Sequence, residues 1–250
     1  MISILQDKTA ATNFLSKDLY VNLNAINFLK NNGESLAYVY NNDIENGVIV
    51  TGKEGEIIFL ATHNLQFLMD FWDTLPQGHQ FFSGVPSDIA DIFLKNREPE
   101  WASPCKVYAA VGEFMPSEND KYICESLQPT DAEEVDKYYT YRDEGTVEVI
   151  RNDIINMDSA CVRINGELAC WCLVHSNDGS LGPLYTKEKF RRQGLAEVVS
   201  SHLIEKLINK KMTPYVQIVQ DNMLSLGLIT KFGYMEFTHD CTWFGVVKEY

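Results

Sequence analysis

Hydrophobic and polar positions follow two periods along this chain, and the changes between them predict a series of helices and strands. Apolar residues three and four positions apart predict a long helix over 194–211. Alternating segments around an Asn-Gly pair at 165–166 predict a β-hairpin, because Asn-Gly strongly favours a two-residue turn. The second half therefore has the predicted order β-α-α-β-β-β-α-β-α-β. Its predicted elements are a strand over 122–127, a helix begun by Thr130 or Asp131, a helix over 146–156, strands over 159–164, 168–175 and 181–186, the helix over 194–211, a strand over 214–219, a helix over 223–232 and a strand over 237–247.

The first half also mixes helical and strand patterns. The predicted elements are helices within 7–29, strands over 36–40, 47–51 and 57–61, a helix over 64–74, a strand over 79–82, a helix over 86–96 and a strand over 106–111. A polar, proline-containing stretch at 115–120 separates the halves and predicts a domain boundary, although it equally fits a loop within one continuous sheet. We predict an α/β protein with a mixed sheet and two domains, residues 1–118 and 119–250.

Charge and composition narrow the classes of partner. The chain has 250 residues, 45% of them hydrophobic, which is ample for a buried core. Its formal net charge of −14 repels phosphate backbones and argues against nucleic acid as a partner. Such a surface attracts cationic amines, but acidity that serves solubility alone is the favoured explanation of the charge.

Neither membrane insertion nor export is predicted. No run of about 20 apolar residues is present, and the first residues lack the basic and apolar regions of a secretory signal. Six cysteines are too few for a disulfide scaffold, and Cys170 and Cys172 fit one face of a strand as small hydrophobic residues. These features predict a cytoplasmic protein that binds no metal.

One segment carries recognisable chemistry. From Leu184 to Ala196 the chain reads as a strand, a basic turn and a helix start rich in small residues. A helix N-terminus exposes unpaired N–H groups and the positive end of its dipole, which suits a pyrophosphate. Gly194 lets the backbone approach the ligand closely, and Arg191 and Arg192 add positive charge. A solvated basic turn before a core helix is the alternative interpretation.

Together with the order of elements, this segment resembles the GCN5-related N-acetyltransferase (GNAT) superfamily. The superfamily signature Q/R-x-x-G-x-G/A is matched by Arg191, Gly194 and Ala196. Asn222, Ser225 and the run 231–234 are similar to a second family segment. The second half looks most like the glycine N-acyltransferase-like (FR47-type) and zwittermicin-resistance-type members. Such relatives often carry a degenerate copy of the fold in their N-terminal half, which is the expectation for residues 1–118.

The resemblance implies an acyltransferase that moves an acetyl or other acyl group from acyl-coenzyme A to an amine of a small molecule or peptide. It implies that the pantetheine arm would pair with the backbone of Leu184, Tyr185 and Thr186. The pyrophosphate would be held by Arg191, Arg192, Gln193, Gly194, Leu195 and Ala196. Asn222 and Ser225 would contact the coenzyme near its pantetheine or thiol end. Asn222 also fits the role of a helix N-cap, and both roles stay open.

The sequence departs from the family pattern at two positions. Many members have a tyrosine as general acid where this chain has Ile229, and similar glycine acyltransferases have an acidic residue where this chain has Ser180. His175, predicted at a strand end next to the site, is the remaining candidate base, with a structural role as the alternative. The chain is therefore predicted to be an N-acyltransferase, with a catalytically weak or inactive coenzyme-binding regulatory module as the alternative.

Overall fold

The computed structural model describes residues 1–115, 121–233 and 235–249. Its first ten elements, which we call the first repeat, are β1 (Ile2–Ile4), α1 (Lys8–Leu15), α2 (Leu23–Asn31), β2 (Leu36–Tyr40), β3 (Val48–Thr51), β4 (Ile58–Ala61), α3 (Leu65–Thr74), β5 (Gly78–Pro86), α4 (Ser87–Leu94) and β6 (Trp101–Ala110). The next ten, the second repeat, are β7 (Cys124–Glu125), α5 (Ala132–Lys137), α6 (Thr146–Asn156), β8 (Ser159–Ile164), β9 (Glu167–Leu173), β10 (Tyr185–Thr186), α7 (Leu195–Asn209), β11 (Tyr215–Val219), α8 (Met223–Ile229) and β12 (Met235–Lys248).

Both repeats have the same order of elements, β-α-α-β-β-β-α-β-α-β. The order predicted for the second half is therefore confirmed. The expectation of a second copy of that fold in the first half is met by the matching element order. Four neighbouring strands of the first repeat, β2 to β5, show the mixed character of the sheet, since β2, β3 and β4 pair antiparallel and β4 pairs parallel with β5.

The strands form two sheets. The larger has the order β1-β2-β3-β4-β5-β12-β6-β11, and the smaller has the order β10-β9-β8-β7. The last strand of the second repeat pairs antiparallel with the fifth strand of the first, with Cys241 opposite Pro86 and Lys248 opposite Gly78. Strands distant in sequence thus share one sheet.

Helices cover both faces of each sheet, as the alternation of side chains along a strand requires. In the larger sheet, Ile49 packs in a core with residues of α3 and α4, while Val48 and Val50 pack in a core with residues of α1 and α2. In the smaller sheet, Cys170 packs with residues of α7, and Trp171 packs with residues of α5 and α6. Each sheet therefore has two separate apolar cores.

The chain forms two compact units. The first contains 1–108, 217–226 and 237–250, and the second contains 109–216 and 227–236. The first unit takes in the end of the chain because β12 lies beside β5. The predicted boundary between residues 118 and 119 lies outside the described residues and stays a prediction.

Several strands differ from the sequence prediction; for example, the strand predicted over 122–127 is reduced to Cys124–Glu125. β1 was not predicted, since three residues are too few to show a period. The strand predicted over 181–186 is reduced to Tyr185–Thr186, with an isolated bridge between Val174 and Leu181. Pro183 lies in the gap, and a proline has no N–H to donate to a neighbouring strand.

Candidate functional site

β10 is an edge strand with backbone groups directed away from its sheet. It ends the order of the four-stranded sheet, and its continuation Lys187 donates its N–H to the carbonyl of Ala169 at 3.0 Å. Successive residues of a strand direct their N–H groups to opposite sides. Tyr185 therefore points its backbone groups toward β9, while Leu184 and Thr186 point theirs toward the open edge. Of the three residues predicted to pair with pantetheine, only these two have suitably placed backbone groups.

The lysines of the turn after β10 are held by carboxylates. Lys187 is buried and contacts Glu134 at 2.5 Å and Glu167 at 3.3 Å. Lys189 contacts Glu167 at 2.6 Å. A lysine that is paired with a carboxylate attracts a phosphate less strongly, because the carboxylate offsets its charge. We therefore assign these two lysines a structural role in the turn.

The two arginines of the same turn are exposed. Arg191 donates from Nε to the carbonyl of Thr186 at 3.1 Å, which places its guanidinium at the open edge of β10. Its contact with Glu188 is long, 3.8 Å, and nearly half of the side chain is exposed. Arg192 has a positive φ of 62° and, within the described residues, no ion pair. Both guanidinium groups are therefore available to an anion.

The N-terminus of α7 is open to a ligand. Gly194 is the N-cap residue, with φ of 79°, and no side chain of the described residues caps the helix there. Leu195 is buried and Ala196 is partly buried, so both offer backbone N–H groups and little else. Gln193 is exposed and accepts a hydrogen bond from the Tyr122 hydroxyl at 3.1 Å. The first N–H groups of a 15-residue helix thus lack intrahelical partners, as an anion site requires.

The matching helix of the first repeat is closed in the same place. Asn64 is the N-cap of α3, and its side chain accepts the N–H of Phe67 at 3.1 Å. The preceding residues Thr62 and His63 supply no arginine or lysine. The first repeat therefore has a counterpart of α7 without the open, basic N-terminus.

Asn222 and Ser225 lie at the start of α8, in the first unit. Asn222 accepts the N–H of Ser225 at 3.1 Å through its Oδ1 atom. This bond is the N-cap interaction that its sequence position allowed. The predicted contact of both residues with the coenzyme stays a prediction.

His175 is held by a buried carboxylate. Its Nδ1 lies 3.1 Å from Oδ2 of Asp153, whose side chain is 2% exposed. The other oxygen, Oδ1, accepts the N–H of Ser176 at 2.8 Å. A carboxylate only accepts hydrogen bonds, so the proton of neutral His175 is on Nδ1 and Nε2 carries a lone pair. A Cβ atom at Gly182 would lie 3.3 Å from Nε2, so any residue larger than glycine would crowd this nitrogen.

The surroundings of His175 are acidic. Burial lowers the pKa of His175, but the hydrogen bond and charge of Asp153 and the charge of Asp178 outweigh burial and raise the pKa above 6.5. Burial raises the pKa of Tyr139, and the charges of Tyr141, Asp153, Asp178 and Asp143 raise it further. The Tyr139 phenol is therefore close to the same carboxylates.

Ser180, which stands where similar acyltransferases have an acidic residue, is buried. Both its N–H and its hydroxyl donate to Oδ1 of Asp178, at 2.9 and 2.8 Å. The backbone carbonyl of Asp178 accepts the hydroxyl of Tyr215 at 2.7 Å. Asp178 is also 2% exposed and organises this turn.

The remaining candidate residues have structural surroundings. Ile229 is buried at the end of α8. Cys170 and Cys172 are free and buried, as predicted, and burial raises the pKa of each to about 12. In the part of the chain that the structure describes, no group of three His, Cys, Asp or Glu residues is arranged to hold a metal ion, and no helix is long and apolar enough to cross a membrane.

Sequence reasoning missed Asp153. It lies on α6, 22 residues before His175, and nothing in the intervening sequence marks the pair. The contiguous segment 184–196, in contrast, appeared as one motif because strand, turn and helix start follow each other directly.

Comparison with known proteins finds a family that is similar to part of the second repeat. The model of the FR47-like protein family matches residues 160–244. No curated protein matches the chain at a significant level.

Solved structures share the fold across the whole chain. A Drosophila protein is 14% identical, with a TM-score of 0.78 and 98% coverage of both chains. An acetyltransferase of the GNAT family from Colwellia psychrerythraea is 11% identical, with a TM-score of 0.57 and coverage of 98% and 99%. A tandem GNAT protein from the clavulanic acid biosynthesis pathway is 8% identical, with a TM-score of 0.55 and coverage of 99% and 98%. At these identities the likeness shows the fold.

Proposed function

We propose that this chain, which has the fold of GNAT proteins and matches the FR47-like family model over part of its length, is an N-acyltransferase, which moves an acyl group from acyl-coenzyme A to an amine. The observation that carries the proposal is the open N-terminus of α7 beside an open edge strand. Gly194 leaves the helix uncapped, and Arg191 and Arg192 are exposed in the turn that leads to it.

The elements suit different parts of the coenzyme. The uncapped N–H groups of α7 and the two arginines would hold the pyrophosphate. The outward N–H groups of Leu184 and Thr186 would pair with the pantetheine arm as an added strand does. One such N–H would also stabilise the negative charge that develops on the thioester oxygen during attack.

The first test removes the basic charge without touching the helix. The double variant Arg191→Gln, Arg192→Gln keeps unbranched side chains of similar length. At position 192, where φ is positive, glutamine therefore meets the same backbone constraint as arginine. We expect the Kd for coenzyme A, measured by titration calorimetry, to rise at least about tenfold, which corresponds to about 1.4 kcal/mol. With saturating acetyl-CoA, kcat should change little because the arginines bind the part of the ligand that does not react.

The matched control is Lys30→Gln, Lys95→Gln, which removes two exposed charges from the first repeat. This variant should bind coenzyme A like the wild type, so a loss common to both variants would reflect net charge alone. Unchanged affinity in the arginine variant would place the pyrophosphate elsewhere.

Turnover is tested by release of free thiol from acetyl-CoA with a panel of amines: glycine, a dipeptide and a diamine. The second candidate function, a coenzyme-binding regulatory module, is favoured by Ile229 and Ser180, which replace the family's usual acid and acidic residue. Binding of coenzyme A with no thiol release for any amine would support that module and contradict the enzyme.

A further inference from the structure

We propose that His175 is the general base that takes the proton of the amine during acyl transfer, and that Asp153 is the positioning residue that fixes its tautomer. This inference rests on the proposed function. It adds Asp153, a residue that no motif marks, and it assigns separate roles to the two nitrogens of the imidazole.

The geometry separates the two ring nitrogens. Nδ1 carries the proton and donates it to Asp153 at 3.1 Å, whereas Nε2 carries the lone pair and lies beside Gly182, where an added Cβ atom would be only 3.3 Å away. Gly182 is two residues before Leu184, so the Cα atoms of these residues are at most about 7 Å apart. Nε2, which lies beside Gly182, is therefore near the start of the open edge of β10. A base at this place can reach an amine that attacks a thioester on that edge.

Asp153 is itself fixed in orientation. It extends from α6 with its Oδ1 engaged by the Ser176 N–H at 2.8 Å, so only Oδ2 is left for His175. Its burial, at 2% exposure, keeps water from competing for that oxygen. The backbone next to His175 therefore determines which carboxylate oxygen holds the ring.

The proposed chemical step involves the amine, the thioester and the imidazole of His175. The amine nitrogen forms a bond to the thioester carbonyl carbon while its N–H proton passes to Nε2 of His175. The C–S bond breaks, and its electron pair leaves with coenzyme A as the thiolate. The imidazolium that results is stabilised by Asp153 and later returns its proton to water.

A second carboxylate acts on this base, since the charge of Asp178, in the turn after His175, adds to that of Asp153. The Tyr139 phenol, after α5, is affected by the same two carboxylates. The carboxylates favour the protonated imidazole, which is why the pKa of His175 is raised. We therefore expect kcat/KM to rise with pH along a limb whose midpoint lies above 6.5, since only the neutral imidazole acts as base.

The decisive variant is Asp153→Asn. The Ser176 N–H still requires an oxygen acceptor, so the amide oxygen should stay there and the NH₂ group should face Nδ1. That NH₂ is a donor, which moves the imidazole proton to Nε2 and removes the lone pair from the reacting side. We expect kcat to fall about tenfold or more with the amine that turns over fastest in the panel, and the Kd for coenzyme A to stay within twofold.

His175→Gln should lower kcat about 10²- to 10³-fold, within the usual range for a general base. In His175→Ala, added imidazole should restore part of the activity, which a purely structural histidine would not show. Glu148→Gln is the matched control, because it removes one exposed carboxylate from the same helix without touching His175. It should keep the wild-type rate.

A second measurement does not depend on activity. The His175 ring titration, followed by NMR in the free protein, should show a pKa above 6.5 in the wild type, lower in Asp153→Asn and unchanged in Glu148→Gln. Unfolded variants are recognised in the same spectra. An unshifted titration in Asp153→Asn would overturn the role of Asp153.

Full kcat in His175→Gln would overturn the role of the base. Absence of turnover by the wild type with every amine would overturn it together with the proposed function. Failure of coenzyme binding alone would contradict the proposed function, while the titration would still decide whether Asp153 holds His175.

Discussion

Two tyrosines of the second repeat make structural contacts in the fold. The hydroxyl of Tyr215 donates to the carbonyl of Asp178, and its side chain is buried. The ring of Tyr185 stacks on Tyr138 at a centroid distance of 4.9 Å. At the family's usual place for a phenolic acid, the chain has the buried Ile229, which cannot donate a proton. We expect, mainly from Ile229, that any transfer reaction proceeds without a tyrosine acid at the usual place.

We therefore expect Tyr185→Phe and Tyr215→Phe to change kcat less than tenfold. A thiolate is a fair leaving group near neutral pH, because thiols have a pKa of about 8.5. Tyr215→Phe should lower the free energy of unfolding by about 1 kcal/mol, since the Asp178 carbonyl loses a buried donor. Tyr234 lies outside the described residues, and Tyr234→Phe is assayed for kcat together with the other two variants. A fall in kcat of about 10²-fold or more in one variant with unchanged coenzyme affinity would identify a relocated acid.

At the scale of elements, α7 differs at its N-terminus from its counterpart α3 and from α8. α3 and α8 are closed by Asn64 and Asn222, and α7 begins at Gly194 with no side-chain cap. A filled cap uses the N–H groups that an anion would need. The coenzyme is therefore expected at α7, and the main role of Asn222 is expected to be the cap.

Two substitutions at Asn222 distinguish its role as a helix N-cap from a contact with the coenzyme. Asn222→Ser keeps a side-chain acceptor, whereas Asn222→Ala removes it and should cost about 1 kcal/mol in the free energy of unfolding. Chemical denaturation measures that cost, and calorimetry measures coenzyme affinity in both variants. If Asn222 acts only as a cap, both keep the wild-type Kd. A weaker Kd in Asn222→Ser at wild-type stability would show that the amide contacts the coenzyme.

At the scale of the whole molecule, one element order occurs twice with different local chemistry. Both repeats place a helix after their fourth strand, but the turn before α3 is neutral and capped, and the turn before α7 is basic and open. A duplicated fold therefore does not imply a duplicated binding site.

We expect one coenzyme A to bind per chain. Calorimetry should give a stoichiometry of one for the wild type, and Asn64→Ala should keep that value while the free energy of unfolding falls by about 1 kcal/mol. Two equivalents of coenzyme A per wild-type chain would show that the first repeat also binds, despite its capped helix.

The sequence by itself determined the order of elements in the second half and the contiguous segment 184–196. These signals are local: hydrophobic period, the Asn165-Gly166 turn and the strand-turn-helix chemistry all lie within a few residues of one another. Arg191 and Gly194 could be assigned together for the same reason.

Only the tertiary structure decided which distant groups meet. It placed β12 beside β5, brought Asp153 to His175, and directed the backbone of Tyr185 away from the open edge of β10. Strand pairing and side-chain contacts across many residues depend on the packing of whole elements, and no local pattern specifies them. The proposed acyl-coenzyme site is thus contained in one segment of the sequence, whereas the proposed base depends on the fold.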